Sequence, residues 1–323
     1  MKKFILGIDT SAYTTSVAIT DIESHEVIID KRKVLLVPFG QKGLRQQDAV
    51  FQHLKNFQEL YEQIDSELDL KRVEIVSVSS RPRNVEGSYM PVFTVGQNYG
   101  AVIAKTLNCQ YIEYSHQENH IAASLINDYK IINDNMLAIH ISGGTTEFLR
   151  VRKSNKGYDA VIEGQSLDIT FGQLIDRIGT LMEFPFPCGM HMENHLINNP
   201  KIENIKLPKI SGDANINLSG MENYFGNLYN TNIYSKQTII HSMFNYVADC
   251  IVHIINNIKN MEDIRTIIIA GGVASNSIIR NAVIEKLTKY KVIFPTKENS
   301  SDNAVGVSIL PIIDRWYNEI KTN

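Results

Sequence analysis

One strand–turn–strand unit occurs twice in this chain, and its recurrence limits the fold more than any other feature. The first copy covers residues 4–8, 16–20 and 26–31, and the second covers residues 136–141, 147–151 and 160–163. Each copy turns through small, hydroxyl-bearing or glycine residues. These are Asp9-Thr10-Ser11-Ala12-Tyr13-Thr14-Thr15-Ser16 in one and Ser142-Gly143-Gly144-Thr145-Thr146 in the other. Elsewhere strands alternate with amphipathic helices, which argues for α/β layers. A unit repeated in this way predicts a duplicated fold of two lobes. Turn amides and hydroxyls form concavities suited to anions, so the recurrence points to phosphate binding. Either hairpin alone would pass as an ordinary turn.

At 323 residues the chain is long enough for two domains with a sizeable core. Apolar residues make up 43% and charged residues 21%, the balance of a soluble globular protein. No uninterrupted apolar run approaches bilayer length, and the start Met1-Lys2-Lys3-Phe4 lacks a secretory pattern, so a cytoplasmic protein with no membrane partner is expected. Cys109, Cys188 and Cys250 form no CxxC pair, which fits a reducing compartment. The net charge of −3 and pI near 6.3 mean that RNA contact would need a local basic patch or a basic partner. Two helical stripes are expected to be core: Val50, Phe51, Leu54 and Phe57 in residues 47–60, and Ile240, Phe244, Val247, Ile251 and Ile255 in residues 236–258.

Four segments could carry chemistry. His116 and His120 stand at i and i+4, so a helix would bring both imidazoles to one face, close enough to share a metal ion. A lone HxxxH is weak, and it is not HExxH. A second pair, His191 and His195, reads as a surface helix. Residues 266–276 form an apolar strand ending in Gly271 and Gly272, which allow close backbone approach to a flat ligand. Asn276 there can cap a helix or bond that ligand. Asp302 precedes an apolar helix and by itself would pass as a capping acid.

Taken in order, these segments resemble the TsaD/YgjD/Gcp family, the former glycoproteases. Gly7-Ile8-Asp9-Thr10-Ser11 looks like GIETS, His116 and His120 match HxxxH, and Ser142-Gly143-Gly144 with Thr146 match SGGxT. Leu167-Asp168, Gly172 and Asp176-Arg177 follow LDDAAGEAFDK, and Pro185, Pro187, Gly189 and Glu193 fit PYPGGPxIE. Ser219-Gly220 fits FSFSG, the run from Gly271 to Asn276 is nearly GGVAAN, and Asp302-Asn303-Ala304 matches DNA.

The resemblance implies an actin/Hsp70/sugar-kinase-like α/β fold of two RNase H-like lobes with a nucleotide cleft. It divides the chain into residues 1–131, carrying HxxxH, and 132–323, carrying the nucleotide loops and Asp302. It implies a transferase moving a threonylcarbamoyl group from its adenylate to an adenosine of tRNA, with TsaB-like and TsaE-like partner proteins. Carried over, His116, His120 and Asp302 become ligands of one divalent metal, zinc or iron, with magnesium still open. Thr10, Ser11, the turn Ser142–Gly143–Gly144–Thr145–Thr146, Asp176, Gly189, Gly271, Gly272 and Asn276 become contacts to ATP or an acyl-adenylate. Asp176 would hold the ribose hydroxyls, and Ser142, Gly143 and Gly144 would stabilise charge developing on the transferred group. His140 has two readings of equal standing: a fourth metal ligand, or a strand histidine satisfied by hydrogen bonds.

Departures cluster around the transferred group. Ala12-Tyr13-Thr14 replace the family's acidic residues, PELA becomes Gln46-Gln47-Asp48-Ala49, and TRGPGL becomes Ser80-Arg81-Pro82-Arg83-Asn84-Val85. Thr145 stands for His or Asn, Gln173 for Glu and Cys188 for Gly, and the Lys expected after Ser219-Gly220 is absent. These differences admit a second reading: a paralogue acting on a small molecule or protein, or a nucleotide-binding regulatory subunit.

Overall fold

A computed structural model describes residues 2–11, 13–37, 44–126, 135–198 and 202–322. They form two compact units. The first comprises Met1–Asn133, Arg152–Asp159 and Ser301–Asn323, and the second Asp134–Val151 and Ala160–Ser300. The boundary expected between residues 131 and 132 lies outside the described residues. The units also depart from a simple halving of the chain, because Asp302 and the last helix pack with the first unit.

The first unit contains β1 (Phe4–Asp9), β2 (Thr14–Asp21), β3 (Val27–Val34), α1 (Gln46–Glu67), β4 (Val73–Arg81), α2 (Phe93–Leu107), β5 (Gln110–Ser115) and α3 (His116–Ser124). Its sheet runs β3-β2-β1-β4-β5. The pairs β1/β2 and β2/β3 are antiparallel, whereas β1/β4 and β4/β5 are parallel. Alternation sends Phe4, Leu6, Ile8, Val17 and Ile19 into a core with Phe57, Leu60 and Ile64 of α1 and Ala104 of α2.

Helix α1 corrects the expected stripe. Its buried face is Ala49, His53, Asn56, Phe57, Leu60 and Ile64, while Phe51 and Leu54 are exposed. Two polar residues win the inward positions because β2 supplies partners: His53 Nδ1 lies 2.8 Å from Thr15 Oγ1, and Asn56 Nδ2 donates to that oxygen.

The second unit contains β6 (Met136–Ile141), β7 (Thr146–Lys153), β8 (Tyr158–Ser166), α4 (Phe171–Leu181), α5 (Cys188–Asn198), β9 (Asn215–Ile216), α6 (Ser219–Asn230), α7 (Lys236–Asn257), β10 (Thr266–Ala270), α8 (Ser277–Lys286), β11 (Lys291–Ile293) and α9 (Lys297–Ser300). The turn joining β7 to β8 belongs to the first unit. The sheet order is β11-β10-β6-β7-β8-β9. From β8 to β11 this repeats the order of the first sheet, so the duplication read from the hairpins extends to the topology. Helix α7 is long and apolar enough to cross a membrane by length and composition, yet most of it is buried. All five residues of its expected stripe are core.

The last helix, α10 (Val305–Thr322), returns to the first unit. It lies against β1 so closely that a Cβ on Gly7 would meet Ala304 O at 2.6 Å and Ser308 Cβ at 2.7 Å. Thr20 Oγ1 and Ser308 Oγ, 2.7 Å apart, tie the helix to β2.

Candidate metal centre and nucleotide-binding loops

In the first unit the carboxyl ends of the parallel strands gather the site, where open α/β sheets place their ligands. Strand β1 ends at Asp9, and β5 runs directly into α3 at His116. Ser115 caps α3, its hydroxyl accepting from Glu118 N while the Glu118 carboxylate accepts from Ser115 N at 2.6 Å and Ser115 Oγ at 2.7 Å. This capping box starts the helix at the first histidine and so fixes both imidazoles on one face. The second oxygen of Glu118 accepts from Tyr158 N at 3.0 Å. Beside it the buried Lys153 ammonium donates to Asp314 Oδ1 at 2.6 Å and to Gly157 O at 2.9 Å. Tyr114 OH donates to Asp314 Oδ2 at 2.7 Å. This buried node pins α3, α10 and the β7–β8 turn together.

His116, His120 and Asp302 converge. Their ligand atoms lie within 4.8 Å of one another. The two Nε2 atoms are 3.0 Å apart, and each is 3.4 Å from Asp302 Oδ1. Metal–ligand bonds of about 2.0–2.2 Å set ligand–ligand edges of roughly 3.0–3.5 Å, so the donor set fits a borderline divalent cation. Asp302 is free for this role because its neighbour does the capping: Asn303 Oδ1 accepts from Val305 N at 2.9 Å. Burial works against the Asp302 carboxylate, but His116 and His120 hold its pKa well below the ordinary value. Burial likewise opposes charge on His116, and Asp9 and Asp302 overcome it, pushing the pKa up to about 10.

Around the triad the structure adds residues that spacing alone did not single out. Asp9 is fully buried, and His116 Nδ1 lies 2.8 Å from its Oδ2. Asn119 Nδ2 and Ser79 Oγ donate to the same oxygen, and Ser11 N donates to Oδ1 at 2.9 Å. His53, whose Nε2 is buried without a hydrogen-bond partner among the described residues, is kept neutral by burial, against the pull of Asp9 and Asp302; its pKa falls to about 4. Of the two hydroxyls expected to meet a ligand, Thr10 is already engaged: it donates to Val92 O at 2.9 Å and accepts from Gly96 N at 3.0 Å. Ser11 Oγ is buried with no hydrogen-bond partner among the described residues.

The remaining candidates lie together in the second unit. Ser142 N donates to Thr145 O at 2.8 Å, and Ser142 Oγ accepts from Gly144 N at 3.3 Å and Thr145 N at 3.1 Å. The hydroxyl thus takes one of the amides expected to face the transferred group, as Ser turns commonly do. A Cβ on Gly143 or Gly144 would meet nothing within 4 Å among the described residues, so the turn's outer side is clear of them. Thr146 Oγ1 is turned inward, accepting from Phe171 N at 3.0 Å.

Contacts close these loops into a ring. Gly172 backs the turn so tightly that a Cβ there would lie 2.6 Å from Gly143 Cα. Asp176 Oδ1 accepts from Cys188 N at 2.8 Å at the start of α5, beside Gly189. Glu193 Oε1 accepts from Ser277 N at 2.8 Å at the start of α8. Gly271 adopts φ +103°, and a Cβ on it would lie 2.8 Å from Ile141 C and 3.0 Å from His140 Cδ2. Gly272 is open on that side. Asn276 performs the first of the two tasks foreseen for it, the helix cap. Its Oδ1 caps α8, accepting from Ile278 N at 3.1 Å and Ile279 N at 3.0 Å, while its Nδ2 is buried without a partner among the described residues.

His140 belongs to this second unit, on β6 against Gly271, and the three-residue cluster does not include it. Two departures from the family pattern have local structural roles. Gln173 replaces Glu in a capping box with Thr170 that an amide serves equally well. Cys188 is a buried thiol packed against Gly179, where a Cβ would lie 2.8 Å from its Sγ.

Comparison with known proteins fits this arrangement. HypF from T. kodakarensis superposes with a TM-score of 0.61 at 13% identity, covering 98% of this chain and 48% of that one. The activator of 2-hydroxyisocaproyl-CoA dehydratase from Clostridium difficile, solved with bound ADPNP, gives 0.53 at 15% identity, covering 99% and 98%. The fold is therefore the actin/Hsp70/sugar-kinase-like one. Residues 27–308 match the TsaD family, tRNA N6-adenosine threonylcarbamoyltransferase, and the chain belongs to it. The tRNA N6-adenosine threonylcarbamoyltransferase of Nanoarchaeum equitans is 26% identical over 320 residues, spanning 98% of this chain and 94% of that protein.

Proposed function

We propose that this protein transfers a threonylcarbamoyl group from its adenylate to the N6 amine of an adenosine in tRNA. Family membership across residues 27–308 supports the reaction. The observation that carries the chemistry is the convergence of two imidazole nitrogens and one carboxylate oxygen from distant segments. A divalent cation held by His116, His120 and Asp302 would supply a Lewis acid for the carbamoyl carbonyl or the mixed anhydride.

The chain's own groups do the rest. In the second unit Asn276 Nδ2 would offer a buried donor to the nucleotide, and a donor left without a partner among the described residues is best satisfied by a ligand. Asp176, whose Oδ1 accepts from Cys188 N, would use its second oxygen for the ribose hydroxyls, a task suited to a two-acceptor carboxylate. The open side of Gly143 and Gly144 lets phosphate or carbonyl oxygens approach the backbone. Direct attack by the amine is favoured over a covalent enzyme intermediate. Burial pushes all three thiols up, Cys250 to about 12, and leaves them poor nucleophiles. The reading includes ATP or the acyl-adenylate as ligand, a cytoplasmic setting, and partners of the TsaB and TsaE kind, which would add tRNA-binding surface to a chain of net charge −3.

The test is nucleoside mass spectrometry of tRNA from a deletion strain. Loss of N6-threonylcarbamoyladenosine, restored by the wild-type gene, is expected. An unchanged level of that nucleoside would move the protein to the paralogue reading, with a small molecule or protein as acceptor.

A further inference from the structure

We infer that Asp9 is a positioning residue that presents His116 to the metal through Nε2 and, together with Asn119, holds all three ligands in register. The inference rests on the metal centre proposed above. Four donors surround one fully buried carboxylate: Ser79 Oγ, His116 Nδ1 and Asn119 Nδ2 at Oδ2, and Ser11 N at Oδ1. Only a group that accepts at both ends satisfies them all. An ionised carboxylate only accepts, so His116 Nδ1 carries its proton toward Asp9, which leaves Nε2, 3.4 Å from Asp302 Oδ1, as the nitrogen that a metal would take in exchange for its proton. A hydrogen bond to one ring nitrogen is the usual way a protein chooses which nitrogen binds the metal.

Asn119 extends that control to Asp302. It lies between the histidines on α3, and its Nδ2 donates both to Asp9 and to Asn303 O. Its Oδ1 accepts from Val307 N at 2.8 Å. One amide thus links the helix bearing two ligands to the residue after the third. Protein–protein hydrogen bonds therefore orient the triad from behind.

Asp9→Asn breaks this arrangement without changing size. The amide has one acceptor and two donors, so either its NH2 faces Ser11 N or it faces the other three donors. Zinc affinity, measured by competition with a chromophoric chelator, is expected to fall about 10–100-fold while circular dichroism stays native. Long-range 1H–15N spectra of the wild-type zinc-loaded protein are expected to show a protonated Nδ1 and a metal-bound Nε2 for His116. That signature does not depend on the variant folding. Equal affinity in a folded Asp9→Asn protein, or zinc on Nδ1 in the wild type, overturns the inference alone. A wild-type protein that takes up no zinc overturns it together with the metal centre.

Discussion

Asp302→Ala should bind zinc more than about 100-fold less tightly than the wild type, beyond the loss expected for an outer hydrogen-bond partner. Transfer to tRNA should fall by about 10³-fold, because polarisation by the ion is worth several kcal/mol. Asp302 is the one carboxylate among the three converging residues, and each imidazole Nε2 lies 3.4 Å from it. Without it two imidazole nitrogens remain, too few to hold a divalent cation against water. The fold should survive the change, because Asn303 and not Asp302 caps α10. Chelator competition and transfer assays on the same preparation check both numbers. A variant that keeps its zinc, or loses zinc and still transfers at the wild-type rate, would separate the triad from the reaction.

Gly306→Ala should destabilise the protein by about 3 kcal/mol or more, a change caused by backbone collision and not by chemistry. A Cβ at this position would run into the carbonyl of Asn119, with Asn119 Oδ1 at 2.6 Å and its carbonyl carbon at 2.7 Å. No flexible side chain can yield there, and on its other flank α10 already touches Gly7 of β1. The helix can only move away from α3, carrying Asn303 O off Asn119 and Asp302 off the histidines. The expected drop in melting temperature is roughly 6–12 °C, accompanied by weaker zinc binding. Gly220→Ala on α6 is the control. A Cβ there meets nothing within 4 Å among the described residues, so alanine should be neutral or stabilising by up to about 1 kcal/mol. Equal melting temperatures for the Gly306 and Gly220 variants would remove the close approach from the account.

Features repeated along the chain were readable before any coordinates. The paired hairpins gave the duplicated sheet, and the apolar spacing of Ile240, Phe244, Val247, Ile251 and Ile255 gave the core face of α7. Ser115 with Glu118 three residues later is a local cap signal and places His116 at a helix start. The stripe on α1 misled because burial there follows Thr15 of β2, which draws His53 and Asn56 inward while Phe51 stays outside. Thr10 and Thr146 were expected to meet a ligand, and their hydroxyls also serve the fold, accepting from Gly96 N and Phe171 N. Which hydroxyl does so depends on tertiary neighbours, and spacing carries no trace of it. The same holds for Asn119 and Gly306, whose importance comes from the approach of two helices almost two hundred residues apart in sequence.

Anomalous diffraction at the zinc edge, from crystals grown after zinc reconstitution, tests the central claim most directly. Zinc is the suitable probe because it competes well at imidazole and carboxylate sites even where iron is the resident ion. The predicted result is one peak about 2.0–2.2 Å from His116 Nε2, His120 Nε2 and a carboxylate oxygen of Asp302. A peak bound elsewhere, or none in protein that still modifies tRNA, would contradict it.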